Sequence, residues 1–432
     1  MKYILSVLTL IVVSFYFFPV ELSFLPIVNS KTALAGVGLI ILTIQLAKNG
    51  NGLINKDTFL LSIFAAFVSL AGVISVVFNG TPDYEYATYI VSMWVWLSAA
   101  YVVVSLIRWV HGTVSVFLLC NYLIALCVAQ CILALTMDFS KPVQDFVFSL
   151  QDESVGDFFT TKHRLSGFGA GLDVAGSRFS AVLIMISFIC VNNFQKIKSK
   201  LFLYIWAFII ISVIGNMIGR TTTVGMLIAI VYFIFGSTIF MANPDRYRIW
   251  LWILSILILN VLFLIYGYYN IPELYENLRF GFEGFFSLVE KGRWEVHSNE
   301  MLSQGYIFPD NIKTWLIGDG FFGTTNIDPY YTGTNWIGFY KGSDVGYSRF
   351  LFYFGLCGLC AFSLFMVKVC HICIMRFRAY TYMFLLFLLL NFLVWLKVST
   401  DIFLVFAPFL CIMNHDSESC AILLDKNENT GQ

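Results

Sequence analysis

Apolar runs as long as a lipid bilayer is thick recur along almost the whole chain, separated by short polar breaks. A helix needs about 20 such residues to cross the hydrocarbon core. Backbone amides in lipid have no water to bond, so a continuous apolar run must close its hydrogen bonds within the segment, as a helix. A membrane β-barrel would instead show alternating segments of about ten residues. Composition points the same way: 59% of the 432 residues are hydrophobic, 18% aromatic and 12% charged. Soluble domains carry roughly 25% charged residues, and a water-soluble chain this apolar would present large adhesive patches. A water-soluble enzyme, a nucleic-acid binder and a disordered scaffold are thereby excluded. The expected fold class is an all-α polytopic membrane protein. Net charge is zero, so overall charge favours no partner.

About twelve spans are expected, at 4–20, 33–47, 58–79, 88–110, 114–137, 179–193, 201–219, 222–241, 249–269, 345–367, 379–397 and 400–414. The last pair is short enough to be one re-entrant unit. The chain then divides into five spans within 1–137, a large loop at 138–178, four spans within 179–269, a second large loop at 270–343, three spans within 344–414, and a tail from 415 to 432. The first run, Met1 to Val20, has no small-x-small site directly after it. It reads as an uncleaved span with the N-terminus inside.

With that orientation the polar breaks sort by charge. The inner breaks and both termini hold 13 basic residues against 6 acidic ones, among them Lys48, Lys56, Arg108, Lys196, Arg246, Arg376 and Arg378. That satisfies the positive-inside rule, which acts through short loops. The outer side holds 13 basic residues against 20 acidic ones, mostly in or beside the two large loops.

Loops that long are usually functional. The second contains a helical pattern near Glu273 to Lys291, where Leu274, Tyr275, Leu278, Phe282, Phe285, Phe286 and Val289 recur at helical spacing. This segment is either a lid on the bundle or an in-plane helix beside a lipid entrance, and periodicity alone does not separate the two.

The spacings Cys357-x-x-Cys360 and Cys370-x-x-Cys373 resemble a zinc pattern, but both lie along one apolar helix and read as packing residues. Neither outer loop contains a cysteine, so no disulfide is expected. No nucleotide-binding or metalloprotease motif is present. Neither a metal nor a cofactor is expected.

Arginine at the outer face is the informative feature. Arg164, Arg178, Arg220, Arg293 and Arg349 sit in or beside the acidic outer loops, and Arg220 opens a span directly after Gly219. Charge at the edge of the apolar core is costly and marks function when it persists. Arginine, more than lysine, suits two-pronged recognition of phosphate. The alternative for each is a snorkelling anchor or an ion pair. As a set they fit a diphosphate carried on a membrane lipid. A polyprenyl-diphosphate-linked sugar is activated by its own leaving group. An enzyme using it needs cations for the departing diphosphate and a base for the acceptor hydroxyl.

These features resemble the bacterial O-antigen polymerases, membrane glycosyltransferases that join lipid-linked repeat units. The matching stretches are Gly219-Arg220-Thr221, Gly292-Arg293-Trp294-Glu295, Gly318-Asp319-Gly320-Phe321, and Ser343 to Arg349 running into Phe354-Gly355-Leu356. The architecture covers most of the chain; the motifs cover about forty residues. Some of these polymerases carry Arg-x10-Gly in each large loop. Here Arg164 to Gly176 and Arg293 to Gly305 are both one residue longer.

The resemblance extends in fold to the O-antigen ligases, in which an arginine opening a span and another in the large loop are thought to grip the diphosphate. Arg220 and Arg293 match those positions. Where the ligases place a histidine before the following span, this chain has Asp344, which favours polymerase over ligase.

The resemblance therefore implies a GT-C-like glycosyltransferase in the bacterial inner membrane, with cytoplasmic termini and periplasmic loops. Its substrates would be undecaprenyl-diphosphate-linked oligosaccharides, and a chain-length regulator its possible partner. Arg220 and Arg293 would hold the diphosphate, with Arg164, Arg178 and Arg349 assisting. Asp344 is the first candidate base, with Glu295 and His297 in reserve. Beside an arginine its pKa is expected to be lowered; a helix cap or an ion pair is its alternative role. Trp294, Tyr330, Tyr331, Trp336 and Tyr340 could stack on sugar rings or anchor at the interface. The rival readings are the ligase, a flippase for the same lipid, although no paired repeat of the transporter kind is detectable, and a structural or receptor membrane protein in which the outer-loop arginines are incidental.

Overall fold

The structure, a computed structural model, describes residues 2–23, 28–49, 55–152, 156, 158–160, 164–241, 243–296, 305–327 and 337–412. The chain opens with two apolar helices, α1 (Lys2–Phe17) and α2 (Ser30–Asn49). Three longer ones follow, α3 (Lys56–Asn79), α4 (Tyr89–His111) and α5 (Val116–Phe139), and then a short α6 (Lys141–Ser149). Next, α7 (Leu172–Asn192) leads through the short α8 (Phe194–Ile197) into α9 (Leu201–Ile218), α10 (Thr222–Phe240) and α11 (Asn243–Asn270). The second large loop contains α12 (Pro272–Gly281), α13 (Glu283–Lys291), α14 (Ile312–Ile317) and an antiparallel ribbon of β1 (Gly323–Ile327) and β2 (Ile337–Phe339). Finally come α15 (Gly346–Arg376), α16 (Thr381–Val394) and α17 (Phe403–Leu410).

Among the described residues seven helical stretches are long and apolar enough to cross a membrane: α3, α4, α5, α7, the stretch from α8 through α9, α10 and α15. Apart from the small ribbon this is the all-helical architecture expected of a polytopic membrane protein.

Several elements depart from the sequence expectation, four of them instructively. α7 starts at Leu172 instead of residue 179, because it is almost wholly enclosed by other helices. Its polar Asp173, Ser177 and Arg178 face protein, so they interrupt the apolar pattern without ending the helix. The amphipathic segment is two helices, broken at Phe282, whose ψ of 26° leaves the helical range. Leu278 is buried and Phe286 stacks on Tyr268 at 4.6 Å, while Phe285 and Val289 stay exposed. One stripe thus seats the pair on the bundle and another faces outward. α15 reaches Arg376, well past residue 367, and α17 has 8 residues, too few to cross a bilayer.

Charged contacts mark the two ends of the bundle. At one end Arg376 Nη2 meets Asp57 Oδ2 at 2.7 Å, and Lys198 lies 3.6 Å from Asp245. At the other, Asp173 meets Lys397 at 2.8 Å and Arg220 meets Glu283 at 2.9 Å.

α15 is interrupted at Gly355, whose φ of 64° and ψ of −167° suit glycine alone. The break frees carbonyls that the Gly318–Gly320 turn then satisfies. Asp319 N donates to Phe352 O (2.6 Å) and Gly320 N to Tyr353 O (3.1 Å), while Ser75 Oγ also donates to Tyr353 O (2.6 Å). A Cβ on Gly355 would lie 2.3 Å from the Leu316 carbonyl carbon. Gly355→Ala is therefore expected to destabilise the fold by about 2–4 kcal/mol, visible as a lowered Tm in detergent. An unchanged Tm would mean that the break is not required.

Candidate functional site

The site is set by how closely α7 approaches the turn between α9 and α10. A Cβ on Gly219 would lie 2.3 Å from Leu172 O, so only glycine allows this backbone contact. Small residues permit such approach between membrane helices. Thr221 Oγ1 donates to Asp173 Oδ1 at 2.5 Å, and Lys397 Nζ reaches the same oxygen at 2.8 Å. The turn is thereby pinned, and Arg220, at its crest, points into the second large loop.

Arg220 donates through Nε to Phe280 O (2.9 Å), pairs with Glu283 (2.9 Å), and its guanidinium lies 4.2 Å from the Phe280 ring centroid. Arg164 approaches the same ring at 5.0 Å. Two guanidinium groups therefore converge on one phenylalanine. Burial pulls the Arg220 pKa down; Glu283 opposes this and the Arg164 charge adds to it. Beside Arg220 opens a polar cavity of about 490 Å³, lined among others by Arg279, Glu283, Lys291 and Glu295. Arg279 ties α12 to α13 through a two-pronged pair with Glu290 at 2.7 and 2.8 Å.

Asp344 lies just before α15, exposed between the buried Ser343 and Val345. Val345 occupies the cap position, and the Asp344 carboxylate makes no hydrogen bond or ion pair with any described side chain. It is neither a cap nor a pair partner. Desolvation by the surrounding protein raises its pKa, assisted by the Asp173 charge, while its own backbone N–H, Lys397 and Arg349 pull the other way. The expected lowering by a neighbouring arginine is thus overturned: desolvation outweighs the cation. Asp173 connects the two halves of the site, since its charge acts on both Arg220 and Asp344.

Other candidates fall elsewhere. Arg293 is exposed and pairs with Glu295, which also meets Lys291 Nζ at 2.5 Å. These contacts hold the Glu295 carboxyl below its ordinary pKa, Lys291 first, which makes it a poor base. Glu295→Gln is expected to change activity less than about fivefold, as for other exposed pairs; a loss comparable to that of Asp344→Asn would reassign the base. Trp294 is half-exposed, edge-on to Phe285 at 5.2 Å. Tyr340 stacks on Phe321 at 5.4 Å and donates to Asp319 at 3.4 Å, so its ring and hydroxyl both serve packing. Arg349 is a clamp: it donates to Ser399 Oγ (2.6 Å) and Phe322 O (3.0 Å) between the rings of Phe322 and Phe339. Arg178 lies inside α7 and not in the loop before it. His297, Tyr330, Tyr331 and Trp336 lie outside the described residues. Of the cysteine pairs, Cys357 and Cys360 are exposed and Cys370 and Cys373 buried.

Sequence reasoning missed Asp173, Lys397, Phe280 and Glu283. Asp173 and Lys397 were visible as charges at span ends, but nothing local shows that residues 224 positions apart meet. Comparison of the chain with protein-family models, curated proteins and solved structures returned no match.

Proposed function

We propose that this protein is an O-antigen polymerase of the bacterial inner membrane, a polytopic GT-C-like enzyme. Its termini are cytoplasmic and the Arg220 end of the bundle faces the periplasm. It joins undecaprenyl-diphosphate-linked repeat units by inverting transfer, without a cofactor. The observation that carries this reading is the convergence of Arg164 and Arg220 on Phe280, at the mouth of a polar cavity and one residue pair, Asp173–Lys397, away from the unpaired carboxylate of Asp344.

In this mechanism the acceptor hydroxyl attacks the anomeric carbon of the donor sugar. The new C–O bond forms as the sugar–diphosphate bond breaks. Asp344 takes the hydroxyl proton, and the electron pair leaves on the diphosphate, whose charge Arg220 and Arg164 stabilise. Glu283 now holds the place at Arg220 that a phosphate oxygen takes when substrate binds. The outward apolar stripe of Phe285 and Val289 keeps α13 at the membrane surface, where the lipid tail arrives.

The test is the lipopolysaccharide ladder of cells lacking the gene, complemented with wild type or variants of matched membrane level. Core carrying one repeat unit in the deletion is the expected result. Bare core would point to a ligase or flippase, and an intact ladder would end the glycan reading.

A further inference from the structure

Gln130 lies inside the apolar helix α5, about 13 Å along it from the end at Phe139. That end borders α12, the helix that carries Phe280: Asn277 donates to Asp138 Oδ2 at 2.7 Å. An amide this far along an apolar span is costly unless bonded. Gln130 is 4% exposed and both ends of its amide are engaged. Nε2 donates to Phe168 O (3.0 Å) and to Ser14 Oγ on α1 (2.9 Å), while Oε1 accepts from Phe168 N (3.0 Å). One side chain thus holds both backbone groups of a single residue.

Phe168 belongs to a tight turn that enters the bundle just before α7. Gly167 N donates to Ala170 O at 2.8 Å, and Gly169 has a φ of 68°, which favours glycine. Leu165, Ser166 and Ala170 are buried. Irregular backbone within a membrane protein persists where protein satisfies its polar groups. A cavity of about 360 Å³ borders Phe168, and apart from Gln130 and Ser14 the described residues that line it are apolar. No other side chain of that lining replaces the amide.

The chain that leads into this turn carries Arg164. Arg164 N donates to Phe159 O at 3.2 Å, and a Cβ on Gly171 would lie 2.3 Å from the Phe159 ring, so that ring packs where the turn ends. The Arg164 backbone is therefore held by Phe159 on one side and by the pinned turn on the other. Its side chain is exposed and lies 5.0 Å from the Phe280 ring, which Arg220 approaches at 4.2 Å. An exposed guanidinium is placed by its backbone more than by its own packing.

We propose that Gln130 is a positioning residue for the diphosphate site: by holding Phe168 at both backbone groups it fixes the turn that sets Arg164 beside Arg220. This role rests on the polymerase reading. A donor stabilises a developing anion only if it is in place beforehand, and a displacement of about 1 Å, caused far from the chemistry, can cost about 100-fold.

The experiment is steady-state polymerisation by the full chain in liposomes, with donor concentration varied and rates taken per monodisperse protein. Gln130→Met keeps the length of the side chain and removes its bonds; kcat/KM for the donor is expected to fall about 10–100-fold. Gly167→Ala disturbs the same joint with every polar group retained, since its Cβ would lie 2.4 Å from Gln130 Oε1, and should fall likewise. It carries the test if Gln130→Met does not fold. Ser14→Ala, which leaves both bonds to Phe168, should stay close to wild type. Because Gln130 acts through Arg164, either joint variant combined with Arg164→Ala should be no slower than Arg164→Ala alone; a general weakening of the fold would multiply the two losses. Multiplying losses overturn the proposal, as do joint variants that match an active wild type or a Ser14→Ala variant as slow as they are. A wild type that forms no polymer is a different result: it overturns the polymerase reading itself, and this role with it.

Discussion

Arg220→Gln is expected to lower the rate of polymerisation by about 10²–10³-fold, the effect of removing one preorganised donor from a developing anion. The lipopolysaccharide of such cells should shift from a long ladder to core bearing one repeat unit, at unchanged membrane level of the protein. The companion variant is Glu283→Gln. Glu283 meets Arg220 at 2.9 Å and would compete with the proposed diphosphate for it. Neutralising it keeps the site's shape and removes the competitor, so donor binding should tighten while Arg220→Gln weakens it. A Glu283→Gln variant as inactive as Arg220→Gln would show that their ion pair is structural, with no diphosphate displacing it.

Asp344→Asn is expected to reduce polymerisation by about 10²–10⁴-fold, as for loss of a positioned general base. The pH dependence carries a more specific signature. Partial desolvation raises the Asp344 pKa above its ordinary value, and only the ionised form accepts a proton. Activity is therefore full above that pKa and falls as pH drops through it, with an acid limb above the ordinary carboxylate range. Lys397 holds the Asp344 pKa down, so Lys397→Met should move the limb to still higher pH. A pH–rate profile of purified wild type and Lys397→Met measures both positions. A limb that stays put would remove Asp344 from the role of base.

The membrane class and most helix positions were legible because lipid imposes one rule on every segment: each apolar run must satisfy its own backbone. The rule fails where a helix is surrounded by protein. α7 is such a case, and its start was misplaced because Asp173, Ser177 and Arg178 face other helices and not lipid. The Gly318-Asp319-Gly320 stretch was legible as a motif but not as a structural device. Its role appears once Gly355 breaks α15 and leaves the Phe352 and Tyr353 carbonyls to be bonded by that turn.

For the site, the sequence offered Arg220 and Asp344 among its candidates but could not rank the arginines. Ranking depends on partners distant along the chain. Arg349 spends both terminal nitrogens on Ser399 and Phe322 O, whereas Arg164 shares Phe280 with Arg220. The pKa direction of Asp344 differs for the same reason: a neighbouring arginine is visible in sequence, and desolvation by distant parts of the chain is not.

The most direct test of the central claim is reconstitution of the purified protein in liposomes containing one undecaprenyl-diphosphate-linked oligosaccharide, with products read by mass spectrometry. The account predicts lipid-linked dimers and longer oligomers, with one undecaprenyl diphosphate released for each bond formed and none produced by Asp344→Asn. Recovery of the unchanged substrate, or its appearance in the opposite leaflet without a new glycosidic bond, would contradict it.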